Sequence, residues 1–179
     1  MKAAITIRTE QADDVLTISD VVRRAYANVV YSDHREHLMI DRLRRTDAFS
    51  PALSLLAETG GEAVGHILLT KAHILGVQAS VTTLALAPLS VVPEYQACGV
   101  GKQLVRVAHQ QAFDLGFKSI LLVGSPAYYQ QFGYEVLNNY LITLPFGAPD
   151  DQCMILPLTT HALDGVAGVV KYAAGWLDH

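Results

Sequence analysis

The chain has little cysteine, and what it has lies far apart. Cys98 and Cys153 are its two cysteines, and they form no CxxC pair. That spacing argues against a disulfide framework or a zinc ribbon and suits a reduced compartment. No stretch approaches the ~20 consecutive apolar residues of a membrane span. The opening MKAAITIRTEQ carries charge and threonine where a secretory signal has its apolar core. The expectation is a soluble, cytoplasmic protein with no membrane partner. Positive charge is not in excess: 13 Lys and Arg stand against 17 Asp and Glu, a net charge of −4. A surface of that balance is not expected to bind nucleic acid, although a small anion can bind where the backbone is locally positive. Repeats, linkers and low-complexity segments are missing too, so 179 residues are expected to form one domain over 1–179.

What is present reads as alternating strands and helices. ITIRT (5–9) alternates like a strand. From 11 to 27, Val15, Ile18, Val22, Ala25 and Tyr26 fall near helical spacing. A second helix is expected over HREHLMIDRLRR, capped by Ser32 or Asp33. ALSLLAE and EAVGHILLTKAHI read as strands joined at Gly60-Gly61 by a tight turn. TLALAPLSVV (83–92) is a further strand in which Pro88 predicts a bulge, a bend or an edge. Val100, Leu104, Ala108, Ala112 and Leu115 form one helical stripe that Gly116 ends. KSILLVG suits a strand buried on both faces. Ser125-Pro126 opens a short helix that Gly133 closes. YEVL, YLITLP and CMILPL are late strands, and GVAGVVKYA is one more. The order β-α-α-β-β-β-α-β-α-β-β predicts an α/β domain with a mixed sheet.

Chemistry is suggested by Gln96-Ala97-Cys98-Gly99-Val100-Gly101, between a strand and the start of the longest helical pattern. Free N–H groups and the helix dipole make such a place an anion site, and glycines let the backbone approach. Lys102 and Arg106 could add charge. A Walker loop is excluded, because Gln96 replaces its first glycine and Gln103 replaces its hydroxyl residue. A dinucleotide fingerprint is excluded by late position and a missing glycine. Taken alone, a G-x-G here is a helix cap with permissive glycines.

The wider stretch resembles a known family. Gln96-x-x-Gly99-x-Gly101 is similar to the Q/R-x-x-G-x-G/A motif of the GNAT superfamily of N-acetyltransferases, and YYQQFGY (128–134) resembles that family's later Y-x-x-x-G-F/Y signature. GSPAYYQQFGYEV and ALDGVAGVVKY resemble a bacterial branch of it. The resemblance implies a GNAT-like fold, a mostly antiparallel mixed sheet flanked by helices. It implies acetyl-CoA as co-substrate, no metal, and a small-molecule or protein amine as acceptor. Main-chain groups of Ser90, Val91 and Val92 would meet pantetheine and the acetyl group. The motif residue Gln96 and the amides of Ala97, Cys98, Gly99, Val100, Gly101 and Lys102 would hold the pyrophosphate. Tyr129 would be the general acid, with Tyr128 as second choice.

This chain departs from that pattern in two places. TLALAPLSVV contains no carboxylate to serve as a base, and Ser125 stands where an asparagine is common. His66 and His73, seven apart on a strand, point to opposite faces, so at most one could face the site. The base is left open, with a water chain as the alternative to a side chain. By resemblance the first two helices border the acceptor site, which brings in Asp33, His34 and Arg35. His34 and His37 are one helical turn apart, but no third ligand accompanies them. The missing carboxylate and asparagine keep a second reading open, an acyl-CoA-binding or regulatory protein without turnover. The apolar late strands and tail would allow a homodimer.

Overall fold

The structure is a computed structural model, and it describes residues 3–177. Its nine strands form one sheet among these residues, ordered β1-β2-β3-β4-β5-β8-β6, with β9 against the far half of β3 and β7 against β9. In chain order the elements are β1 (Thr6–Thr9), α1 (Val15–Tyr26), α2 (Glu36–Leu43), β2 (Ser54–Thr59), β3 (Glu62–Leu75) and β4 (Ser80–Val91). Then follow α3 (Val100–Asp114), β5 (Ser119–Val123), α4 (Pro126–Tyr129), β6 (Glu135–Val136), β7 (Leu141–Thr143), β8 (Cys153–Pro157) and β9 (Ala167–Lys171). Only β4–β5 and β7–β9 run parallel, so the sheet is mixed and mostly antiparallel.

The β2–β3 hairpin closes at Gly60 and Gly61, both left-handed at φ +57° and +80°. Two adjacent positive φ values make the tight turn whose twist matches paired strands. β2 and β3 are buried on both faces because helices cover both. α3 packs Leu104, Val105 and Ala108 against Leu55, Ile67 and Leu84. On the other face α1 and α2 pack Ile18, Val22, Ile40 and Leu43 against Leu56 and Leu68. Leu115, expected on the buried stripe of α3, is 49% exposed, and Val105 takes its share of the core. The helix ends at Asp114 and turns away at Gly116, φ +86°.

α2 also starts later than its sequence suggests. Ser32 Oγ accepts from the His34 amide and Asp33 Oδ1 from the Arg35 amide, both at 2.9 Å. These bonds fold the two side chains back into the preceding loop, and the helix begins at Glu36 with no side-chain cap.

Pro88 lies inside the sheet, in the middle of its order. β3 pairs Ile67 with Leu89 and then Leu69 with Leu86, so two residues of β4, Ala87 and Pro88, stand opposite Leu68. This bulge is how a residue without an N–H fits a central strand. Close by, Gly65 brings α3 down on the sheet. A Cβ there would lie 2.9 Å from Val100 Cγ1 and 3.0 Å from Leu104 Cδ1. Gly65→Ala is expected to cost about 1–3 kcal/mol through overpacking, read as a lower urea midpoint with an unchanged m-value.

Candidate active site

A single 3-10 turn, Pro93–Tyr95, leads from β4 into the loop at 96–99 and then α3. Ala97 and Gly99 are left-handed, φ +58° and +86°, with Cys98 between them not so. Left-handed residues set among ordinary ones turn successive N–H groups to one side and make an anion-binding nest. The first α3 amide returned to the chain is that of Gln103, which donates to Gly99 O at 3.1 Å. The amides of Val100, Gly101 and Lys102 precede it and have no carbonyl a turn behind them. Gly101 serves differently from Gly99. Its backbone is ordinary, but a Cβ would sit 2.7 Å from the Tyr128 hydroxyl.

β4 lies beside this loop with one edge open. β5 pairs it only at Leu84 and Ala85. The Val92 amide donates to Val64 O at 3.0 Å. By strand alternation, Val92 and Ser90 therefore turn their main-chain groups to β3, and Leu89 and Val91 turn theirs to the open edge. Two side chains reach that edge. Gln96 Nε2 donates to Val91 O at 3.0 Å, and the Tyr26 hydroxyl donates to Leu89 O at 3.2 Å. Of Ser90, Val91 and Val92, only Val91 offers main chain to the groove, and Leu89 joins it. Ser90 and Val92 are fully buried.

α4 forms the opposite wall. Gly124, just before it, would bring a Cβ within 2.7 Å of the Tyr129 ring. The Tyr128 and Tyr129 rings meet edge to face at 4.9 Å, and Tyr129 also packs on Phe132 and Tyr134. Burial raises the pKa of both phenols, and Tyr129 is raised further by the phenols of Tyr128, Tyr26 and Tyr31. Tyr129 thus stays protonated throughout the neutral range.

Loop, strand edge and α4 enclose a groove of about 460 Å³. It is lined by Leu89, Val91, Tyr95, Gln96, Ala97, Gly99, Val100, Gly101, Lys102 and Tyr128. Cys98 faces the other side of the loop, into a separate hollow with Ile5, Thr59 and Glu94. Arg106 lies away from the groove, beside His109. Of Asp33, His34 and Arg35, His34 lines a small pocket between α1 and α2.

His73 is exposed on the far half of β3. His66 is fully buried. Ser54 Oγ donates to Glu10, so it accepts from His66 Nε2 at 2.8 Å, and Glu10 is held by Arg44 Nε at 2.7 Å. Burial, then the Arg44 charge, push the His66 imidazole down to about 3. It is neutral at pH 7 and locked in a structural chain. Among the described residues no group of three or more His, Cys, Asp or Glu could hold a metal ion, and no helix is long and apolar enough to cross a membrane.

Residues 17–134, which include both the loop and α4, match the family model for the Acetyltransferase (GNAT) family. The chain belongs to the GNAT acetyltransferase family. The uncharacterized N-acetyltransferase YjhQ of Escherichia coli K12 is 37% identical over 130 residues, 73% of this chain and 69% of that protein. The uncharacterized N-acetyltransferase YhbS of the same strain is 25% identical over 166 residues, 93% and 95% of the two chains. Among solved structures, GNAT family YhbS from Escherichia coli in complex with CoA shares the fold, with a TM-score of 0.88 at 23% identity over 99% of this chain and 94% of that one. A GNAT family acetyltransferase from Brucella melitensis in complex with acetyl-CoA has a TM-score of 0.80 at 29% identity over 97% and 99%.

The buried histidine carries a pH prediction. The native state keeps His66 neutral down to about pH 3, whereas the unfolded chain protonates it near pH 6.5. Its contribution is intact above that pH and is lost as pH falls. Between pH 6.5 and 5, urea unfolding should lose up to ~1.4 kcal/mol per pH unit from His66. His66→Gln, less stable at pH 7, should show a correspondingly flatter slope. An unchanged slope would mean the imidazole is hydrated in the native state.

Proposed function

We propose that this GNAT protein is an acetyl-CoA-dependent N-acetyltransferase, acting on a primary amine by direct transfer in a ternary complex. One observation carries the reading: an amide nest, an open strand edge and the Tyr128 phenol border one groove, with the protonated Tyr129 packed against Tyr128. The complexes of the two relatives with CoA and acetyl-CoA support the same ligand here.

Acetyl-CoA supplies an activated acetyl thioester. In this reading the amides from Ala97 to Lys102, with the Lys102 ammonium, hold its pyrophosphate at the start of α3. Gln96 ties the loop to the strand through Val91 O. The Leu89 and Val91 amides, on the open edge, donate to the pantetheine arm and to the carbonyl oxygen as it becomes an oxyanion. Two tyrosines then divide the work. Tyr128 puts its hydroxyl on Gly101, at the pyrophosphate end. Tyr129 feels the phenols of Tyr26 and Tyr31, which come from the α1–α2 side. A general acid must stand between cofactor and acceptor, and that favours Tyr129 as the donor to the departing thiolate.

Tyr129→Phe should keep the thermal shift with acetyl-CoA and lower kcat about 10²- to 10⁴-fold, whereas Tyr128→Phe should act mainly on acetyl-CoA affinity. Wild-type protein that binds acetyl-CoA but acetylates nothing in a broad amine panel would favour the non-catalytic acyl-CoA-binding reading. Gly101→Val places a side chain against the Tyr128 hydroxyl, in the groove that would take the ligand. It should abolish the acetyl-CoA shift while leaving the ligand-free melting temperature within a few degrees.

A further inference from the structure

A second pocket, between α1 and α2, is tied to the groove through Tyr26. It measures about 300 Å³ and is lined by Arg23, Tyr26, Ala27, His34 and Glu36. Tyr26 joins the two spaces: it lines this pocket, and its hydroxyl donates to Leu89 O, part of the groove wall. The pocket therefore opens beside the strand edge assigned to the acetyl group. β4 brings no carboxylate to that edge, but α2 brings one from outside. Glu36 is the first residue of α2, and Ser32 donates to its Oε1. The His34 amide in turn donates to Ser32 Oγ, which fixes the loop that aims the carboxylate. Burial first, and the Glu36 carboxylate second, push the Tyr26 phenol up to about 12. Glu36 and Tyr26 line the same pocket, so the carboxylate shares that space with the residue whose hydroxyl reaches the groove wall. Arg23 brings the opposite charge on α1, its side chain 59% exposed and only loosely paired with Asp20 at 3.9 Å.

We propose that Glu36 binds the acceptor's ammonium and takes its proton, while Arg23 pairs with an anionic group on the same molecule, so that the acceptor is an amino-acid-like zwitterion. The inference rests on the acetyl-transfer reading above. The ammonium gives one proton to Glu36. The freed lone pair forms the C–N bond, and the C–S bond breaks as the intermediate collapses. The thiolate takes the Tyr129 proton, and the second proton leaving nitrogen restores it. The proton on Glu36 goes to solvent. Arg23 and Tyr26 of α1 and His34 of the loop line the pocket with Glu36, and Ser32 bonds it. Arg23 also disfavours a polyamine, whose second ammonium would meet a like charge.

The test is steady-state kinetics on α-amino acids, their methyl esters and spermidine, with a thermal shift on acetyl-CoA as the parallel measurement. Wild-type protein should prefer the amino acids. Glu36→Gln should keep the acetyl-CoA shift, raise KM for the amine about 10- to 100-fold, as expected for one lost charge-assisted hydrogen bond, and move the pH–rate profile upward. Arg23→Gln should erase the preference for acid over ester. An unchanged amine KM and pH profile in Glu36→Gln overturns the proposal. So does a wild-type preference for spermidine, or no turnover of amino acids by protein that still binds acetyl-CoA. Absence of any acetyl-CoA shift in the wild type would overturn the acetyl-transfer reading, and this inference with it.

Discussion

A backbone N–H or C=O removed from water must find a partner, and β4 meets that demand differently on its two edges. Toward β3 it is paired along its length. Toward β5 it is paired only at Leu84 and Ala85, after which the strands part. The bulge at Ala87 and Pro88 lies where that release begins. Beyond it two carbonyls are taken by side chains from elsewhere, Leu89 O by Tyr26 and Val91 O by Gln96. The amides beside them are left facing a groove. An open edge inside a sheet would ordinarily invite another strand. Here α4 and the loop at 96–99 close around it, and the space left suits an extended chain rich in amide groups. The pantetheine arm of CoA has that character.

Much of this was legible in the sequence because it depends on local rules. The two glycines at 60 and 61, the proline-opened start of α4, and the glycine after α3 each announce a turn through backbone chemistry that neighbours do not alter. The loop at 96–101 was legible for the same reason, since Gly99 is there for its φ. The proline in β4 announced an irregularity, but not that the strand was central. A proline can be accommodated at an edge or at a bulge, and only the pairing partners decide between them.

What stayed hidden depends on contacts between distant segments. Nothing around Ser90, Val91 and Val92 says which of them faces the open edge. That follows from the register with β3, fixed by Val92 bonding to Val64. The α2 start was misjudged because Ser32 and Asp33 are good caps that were spent on the preceding loop. His66 looked like a candidate base from its pKa class alone. Its neighbours Ser54, Glu10 and Arg44 come from three other segments, and together with burial they make it a structural group. Glu36 reads in sequence as an ordinary acidic first-turn residue of a helix. Only packing of α2 against α1 sets it beside Tyr26.

The tyrosines show how such a site is assembled from parts with no local signature. Tyr26 ends a helix, Tyr31 sits in a loop, and Tyr128 and Tyr129 are adjacent on α4. Adjacent residues on a short helix point in different directions, so one ring faces the loop and the other faces inward. Each direction is permitted by one glycine: Gly101 receives the Tyr128 hydroxyl and Gly124 receives the Tyr129 ring. Neither of those glycines has the positive φ that marks Gly99. They are small because an aromatic ring lies against them. An alanine at either position would stay compatible with the backbone and still move a tyrosine. Two glycines of one loop, Gly99 and Gly101, thus answer to separate constraints, one torsional and one steric, and a motif that spells both as G conceals the difference.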